Sequence, residues 1–395
     1  MDFKIWWFLP VFLISALFVA IVLPAIVRTA NEMHLYDDAQ DERKVHKGNV
    51  PRLGGVSFVP AILFSLLIVI AIMSIYSPIS MTFKYGSITQ IMLALSGCVL
   101  LYLVGIMDDV IGVSYKNKFV IQILSALFIC TSGLWIKDLH GLFGIHALHP
   151  LFGIPITIVI IVLIINAINL IDGVDGLASG LCVIGTIGYS MVFFYKDMNI
   201  YMMLASSILG LLLVFYFYNT LGKPGVNKTF MGDTGSLTMG YLLAVFAVKL
   251  TTIDVPKGHG NDGSYFIYAA SLVLIPVMDV FRVFFARIRD GKGPFFPDKR
   301  HIHHKLMALG FNMRQTRYII FAISIFFFVM NIVIYRYLQW NINVLFVADA
   351  VAWITLNIFI SKKVTYLRSI EDPVALRYSE PGAGLTFKRR RKRQN

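Results

Sequence analysis

The feature that most constrains this chain is its succession of unbroken apolar runs, of which Ile156–Ile165 (ITIVIIVLII) is typical. In lipid such a run satisfies its own backbone only as a helix or inside a closed barrel. Runs of about 20 apolar residues have the length of a membrane-crossing helix. Eleven spans are expected, at 5–27, 54–75, 88–107, 119–136, 154–170, 177–195, 201–218, 235–250, 265–286, 318–336 and 343–361. Charged residues are only 14% of the chain, against about 25% in a soluble protein. The fold class is therefore an all-α polytopic membrane protein. A single transmembrane domain is expected over residues 1–361, with a basic tail over 362–395.

An odd number of spans puts the two termini on opposite sides. The segments 28–53, 108–118, 171–176, 219–234, 287–317 and 362–395 then share one side, and they hold 27 of the 35 Lys and Arg residues. Basic residues collect in cytoplasmic loops, so the N-terminus is expected outside and the C-terminus in the cytoplasm. The same reasoning accounts for the net charge of +13 without nucleic acid as a partner. The tail ends KRRRKRQN, which suits anionic membrane lipid. The N-terminal segment is barely basic, and its apolar stretch is too long for a cleaved signal; Trp6 and Trp7 would mark its interface. Cys98, Cys130 and Cys182 lie in apolar runs with no ligand spacing and read as small packing residues.

Nearly every unusual polar cluster falls on the side expected to be cytoplasmic. GIMDDVIGVSYKNKFVIQ carries Asp108, Asp109 and Lys118, and NAINLIDGVDGLASG carries Asn166, Asn169, Asp172 and Asp175. NKTFMGDTGSL carries Phe230 and Asp233, and FFPDKRHIHHKL carries Asp298, Arg300, His301, His303 and His304. Several carboxylates at one membrane edge repel one another and need a cation. Oxygen ligands without cysteine favour Mg²⁺, with Mn²⁺ as the alternative, over zinc. Gly232 and Gly235 flank Asp233 before a span, a setting in which backbone N–H groups suit a phosphate. The three close imidazoles of HIHH do not by themselves form a usual closed zinc site. With Arg300 beside them a phosphate contact is preferred, and zinc stays an alternative. Lys47 and Arg52 in RKVHKGNVPRLGG are further basic candidates.

Taken in order, PRLGG before a span, DD with the downstream KFVIQ, NAINLIDGVDGLASG, and FMGDTGS with the late PDKRHIHHKL resemble the polyprenyl-phosphate N-acetylhexosamine-1-phosphate transferases, the WecA/TagO/MraY superfamily. The resemblance runs from about Lys47 to Leu306. HIHH, interrupted by Ile302, is similar to the WecA/TagO branch; the MraY branch has three adjacent histidines. The resemblance implies transfer of a sugar 1-phosphate from a UDP-N-acetylhexosamine, by default UDP-GlcNAc, to undecaprenyl phosphate, with release of UMP. UDP-FucNAc, UDP-QuiNAc and the MraY donor are the alternatives. Asn169 and Asp233 would contact Mg²⁺. Asp108, Asp109, Asp172, Asp175 and Asp233 form the catalytic set. Lys47, Lys118, Asn166, Asn169, Asn219, Phe230, Arg300, His301, His303 and His304 would bind substrate, with Phe230 placed to stack on uracil. A homodimer in the bacterial cytoplasmic membrane fits the same resemblance.

Asp108 is the resemblance's candidate base. A phosphate monoester has its second pKa near 6, so the acceptor is mostly a dianion at neutral pH, and docking is an equal role for Asp108. Two other readings of the acids exist. An ion-coupled transporter would hold them near the midplane, often with internal repeats, and none is visible. A Mg²⁺-dependent prenyl transferase would explain the aspartates but not the histidine segment.

Overall fold

The computed structural model describes residues 3–36, 50–76, 85–253, 264–291, 293 and 300–371. Lys47, Asp298 and the chain beyond Glu371 lie outside the described residues. The described chain is helical apart from one short hairpin. In order it forms α1 (Phe3–Glu32), α2 (Phe58–Tyr76), α3 (Tyr85–Ile111) and α4 (Tyr115–Thr131), then β1 (Asp138–Leu142) and β2 (Ile145–Ala147). There follow α5 (Pro150–Ile171), α6 (Leu177–Tyr195), α7 (Asn199–Leu221), α8 (Gly232–Thr251), α9 (Ser264–Arg289), α10 (Ile302–Ala308), α11 (Met313–Tyr337) and α12 (Ile342–Glu371). Ten of these helices are long and apolar enough to cross a membrane. The seventeen-residue α4 packs in the same bundle between α3 and α5.

Several helix boundaries differ from expectation, and those of α4 do so for local reasons. The fourth span was expected at 119–136, but α4 begins at Tyr115, because the Ser114 hydroxyl accepts from the Asn117 N–H (3.4 Å), and stops at Thr131. The chain then turns through Gly133 (φ +80°) into the β1–β2 hairpin. The last helix passes residue 361 and runs to Glu371. Its lysines at 362 and 363 are therefore helical.

α8 is the centre of the bundle. It packs against α3, α5, α6 and α9 and is almost wholly buried, yet it is the least apolar of the ten spans. The two facts have one cause. A helix that meets only protein needs small residues that admit close backbones, not a lipid-soluble surface. At the periphery α1 shows Trp6, Leu9, Leu13, Leu17 and Ile21 to the surroundings, spaced as one helical face. On its inner side Ser15 donates to the Ser207 carbonyl (2.8 Å), and Ser207 pairs with Ser65 of α2 (2.8 Å).

The PRLGG segment docks on the start of α8. Phe230 N–H donates to Pro51 O (2.9 Å), Gly54 N–H to Phe230 O (3.1 Å), and Gly55 N–H to Met231 O (3.1 Å). A Cβ at Gly55 would lie 2.2 Å from the Gly235 nitrogen and 2.5 Å from Met231 O. Both are backbone atoms and neither can swing aside. Gly55→Ala is expected to cost about 1–3 kcal/mol through overpacking, read as a lower melting temperature in detergent. An unchanged melt would show that the two segments separate freely.

Candidate active site

The site forms where helix ends meet. The C-termini of α3 and α5 and the N-termini of α4 and α8 reach one end of the bundle. The hairpin that follows α4 marks the other end.

The α4 lysine ties two of these ends together. Lys118 Nζ donates to Asp108 Oδ2 (3.0 Å) and to Asp233 Oδ2 (2.8 Å). The other oxygen of Asp233 accepts from the Asn169 amide (3.1 Å), which also reaches the Ser236 hydroxyl (2.9 Å). Asp108 Oδ1 accepts from the Val113 N–H (2.7 Å), which fixes the turn leaving α3. One turn before Asn169, Asn166 donates to Gln122 of α4 (2.7 Å), and so aligns α4 with α5. Four segments distant in sequence thus share one charged centre.

Asp109 has a different environment from its neighbour. Its Oδ1 accepts from the Asp233 N–H (2.8 Å), and its Oδ2 from the N–H (2.9 Å) and hydroxyl (2.6 Å) of Thr234. It caps α8 from another helix and satisfies the donors a helix start leaves open. This corrects the expectation that the Gly232–Gly235 turn cradles a phosphate. An anion is already there, and a second would be repelled. Gly232 has φ +68°, and a Cβ there would meet Arg52 O at 2.1 Å and Asp109 Oδ2 at 2.6 Å. Gly235 is a packing contact on Gly55.

The α5–α6 turn brings Asp172 and Asp175 beside this centre. Asp172 feels the charges of Asp233, Asp175, Asp109 and Arg52, and its side chain hydrogen-bonds no described residue. Burial above all, then the carboxylates of Asp233, Asp175 and Asp109, push its pKa up to about 7. The proton is therefore retained in the folded chain and lost from the unfolded one between the ordinary carboxylate value and about 7. Stability from this group is complete on the acid side and is lost as pH rises through that window. Asp172→Asn is expected to raise the melting temperature of metal-free protein more at about pH 8 than at about pH 5. Added Mg²⁺ should narrow the gap by stabilising the wild-type carboxylate. Equal gains at both pH values would refute the shift. Asp175, by contrast, forms an ion pair with Lys228. Its backbone carbonyl accepts from Arg317 (2.8 Å), and the next N–H, of Gly176, is held by Asn219 (2.5 Å). Asn219 also donates to Thr229 O (2.8 Å), so it braces two loops. Phe230 is half-buried beside Thr229.

The histidines sit on α10 and its cap, held by a residue that sequence reasoning missed. Asp279, on α9, accepts from His301 Nδ1 (2.8 Å) and from Ile302 N–H (3.2 Å). It also takes Arg282 at 2.7 Å, and Arg282 binds the Arg300 carbonyl at 2.6 Å. A carboxylate inside an apolar span was the available signal. His303 packs on the Asp172–Asp175 turn, where a Cβ at Gly173 would come within 2.6 Å of its Nε2. Burial, then His304 and His301, hold the His303 imidazole well below its ordinary pKa, so the ring is neutral. His301 Nε2 and His303 Nδ1 are buried with no partner among the described residues, two places where a ligand oxygen or water would bind. Arg300 bonds Ala286 O (3.3 Å) and Asp290 (2.6 Å) at the end of α9. The rings of His301 and His303 lie parallel, 5.8 Å apart. No three His, Cys, Asp or Glu side chains converge as a metal cage among the described residues.

Residues 90–251 match the profile described as "Glycosyl transferase family 4". A "Probable undecaprenyl-phosphate N-acetylglucosaminyl 1-phosphate transferase" of Bacillus subtilis is 31% identical over 332 residues, 83% of this chain and 85% of that protein. The chain belongs to glycosyl transferase family 4. An "Undecaprenyl-phosphate alpha-N-acetylglucosaminyl 1-phosphate transferase" of Escherichia coli K12 is 28% identical, and one of Yersinia pestis 26%, each over 71% of both chains. These are relatives of the WecA type, the branch to which the histidine segment pointed.

The donor set of this family 4 chain fits a hard divalent cation. Asp108 and Asp233 share Lys118, Asp109 caps α8 beside Asp233, and Asp172 feels Asp233, Asp109 and Arg52, so these four carboxylates outnumber the two cations. The ammonium of Lys118 already stands between two of the carboxylates, as a cation must. Asp233, Asp172 and the amide oxygen of Asn169 are oxygen ligands of the kind Mg²⁺ prefers.

Proposed function

We propose that this chain transfers N-acetylglucosamine 1-phosphate from UDP-GlcNAc to undecaprenyl phosphate, releasing UMP, at the cytoplasmic face of a bacterial inner membrane. The observation that carries the reading is the grip of Lys118 and Asn169 on Asp233, with Asp108 on the same ammonium. That grip lies within a chain related over 83% of its length to a protein named for this reaction. The N-terminus is assigned outside on the basic-residue asymmetry of the loops.

An oxygen of the lipid phosphate attacks the phosphorus bonded to the sugar. The bond to the bridging oxygen of the diphosphate breaks, and UMP leaves with that oxygen. The acceptor needs no deprotonation when it is already a dianion. Asp108 therefore serves mainly to hold Lys118, which draws the acceptor phosphate to the centre. Asp233 and Asn169 would hold Mg²⁺, which supplies charge neutralisation on the diphosphate. His303 Nδ1, carried as an N–H of a neutral ring, would donate to a phosphate oxygen. Because acids, lysine and histidines come from separate helices, the helix packing itself pre-pays their positioning. The acceptor's chain is as apolar as the bilayer, which explains a polar centre at the end of apolar helices.

Purified protein in detergent should release UMP only with undecaprenyl phosphate, UDP-GlcNAc and Mg²⁺ all present. Release with UDP-FucNAc, UDP-QuiNAc or the MraY donor alone would move the donor and keep the chemistry. No release with any UDP-sugar from folded protein would overturn the proposal.

A further inference from the structure

Outside the acidic centre, α9 and α12 diverge and leave a cavity of about 770 Å³. One wall is apolar, built from Met278, Phe281, Phe285, Ile354 and Ile358. Phe281, Phe285 and Ile358 are 42%, 64% and 50% exposed, which leaves the wall open to the bilayer. The polar end gathers four cations, Arg282, Arg289, Lys305 and Lys362. On α9 the lining residues 278, 281, 282, 285 and 289 repeat at helical spacing. They form a different face from the buried Asp279 and Val283 that meet the protein core.

Among the described residues these cations outnumber their carboxylate partners. Arg282 has Asp279, and Arg289, on an exposed side chain, has Asp290 at 3.7 Å. Lys305 bonds the Ser361 hydroxyl (2.8 Å) and the Asn357 amide oxygen (3.4 Å), with no carboxylate partner among the described residues. Burial first, then the charges of Arg282 and Arg300, lower its pKa to about 8. A half-buried ammonium held by two neutral oxygens, at the head of an apolar wall, is complementary to a phosphate that carries hydrocarbon.

We propose that this cavity binds an anionic phospholipid of the bilayer, head group at Lys305 and Lys362 and chains along α9 and α12, and that its occupant steadies the histidine helix through Arg282. None of the acids of the transfer centre lines the cavity, so the lipid there is a resident and not the reacting acceptor. Arg282 is the link. It lines the cavity and also bonds Asp279 and the Arg300 carbonyl, and Asp279 holds His301 and the start of α10. A phosphate beside Arg282 adds a second anion to this guanidinium and orders the segment that carries the histidines.

The test reconstitutes the full chain in nanodiscs of phosphatidylcholine, with and without phosphatidylglycerol, and counts retained lipid by native mass spectrometry after transfer to mild detergent. Wild type should retain phosphatidylglycerol over phosphatidylcholine. The double variant Lys305→Gln/Lys362→Gln should lose roughly tenfold of that preference, and Lys305→Arg should keep it. UMP release, which rests on the proposed function, should be faster with phosphatidylglycerol in wild type and indifferent to it in the double variant. Equal retention of both lipids by wild type would overturn the site. Displacement of phosphatidylglycerol by undecaprenyl phosphate, in proportion to its concentration, would give the cavity to the acceptor and overturn the resident lipid. Lipid counting needs no reaction, so its outcome is separate from that of the UMP assay.

Discussion

Replacing Asp233 by asparagine is expected to lower UMP release by at least roughly a thousandfold and to leave the protein folded. The fold survives because the cap of α8 is made by the backbone N–H of residue 233 and by Thr234 on Asp109, and neither needs the Asp233 side chain. Under the proposed reaction, activity does need it. Its two oxygens have separate partners, Lys118 at 2.8 Å and Asn169 at 3.1 Å. These contacts would hold the carboxylate toward the diphosphate and its cation. Asparagine keeps the shape but removes the charge, so the cation would lose a ligand and Lys118 would keep only Asp108. Lys118→Met should be nearly as inactive. The double variant should be far less impaired than the product of the two singles, because the residues act as one unit. Strict multiplicativity, or an Asp233→Asn enzyme near wild-type rate, would show that this ion pair is not part of the centre.

The second large effect is structural. Asp279→Asn removes the negative charge shared by Arg282 and His301, both largely buried. Breaking a buried pair from one side costs about 3–5 kcal/mol, because the remaining charge is left without its counterion. The loss appears as a clear fall in melting temperature. It also appears in activity, since α10 is anchored to α9 by that carboxylate at its first N–H. His303, which packs on the Gly173 turn, loses its support. Asp279→Glu should recover part of the stability, because the charge remains and only its reach changes. A variant that melts with wild type would assign the anchoring of α10 to other contacts.

Several features were legible without any coordinates because membrane helices are locally determined. In lipid every backbone group must be satisfied inside its own segment. An apolar run therefore reports a helix whatever its neighbours are, and the run ending at NAINLIDG is α5. The same logic exposes the polar residues. Asp108, Asn169, Asp172 and Asp233 are expensive at the end of a span and stand out by their cost. Local determination weakens at α4, where a serine cap and a glycine turn moved both ends, and at the hairpin, which has no apolar run to announce it.

What each acid does could be decided only by packing. Asp108 and Asp109 are adjacent in sequence, yet one meets Lys118 and the other the N-terminus of α8. Successive helix positions point about a third of a turn apart, so their partners depend on which helices stand beside α3. Asp279 is one carboxylate in an apolar segment, and its work is set by an α10 that begins 23 residues later. Arg300 lies beside the histidines in the chain but turns to the end of α9. The sequence by itself determined a membrane-spanning helical bundle and the residue types of its charged edge. The tertiary structure alone decided which charges meet, because a side chain's electrostatic partner is fixed by distance in space, and these partners come from different helices.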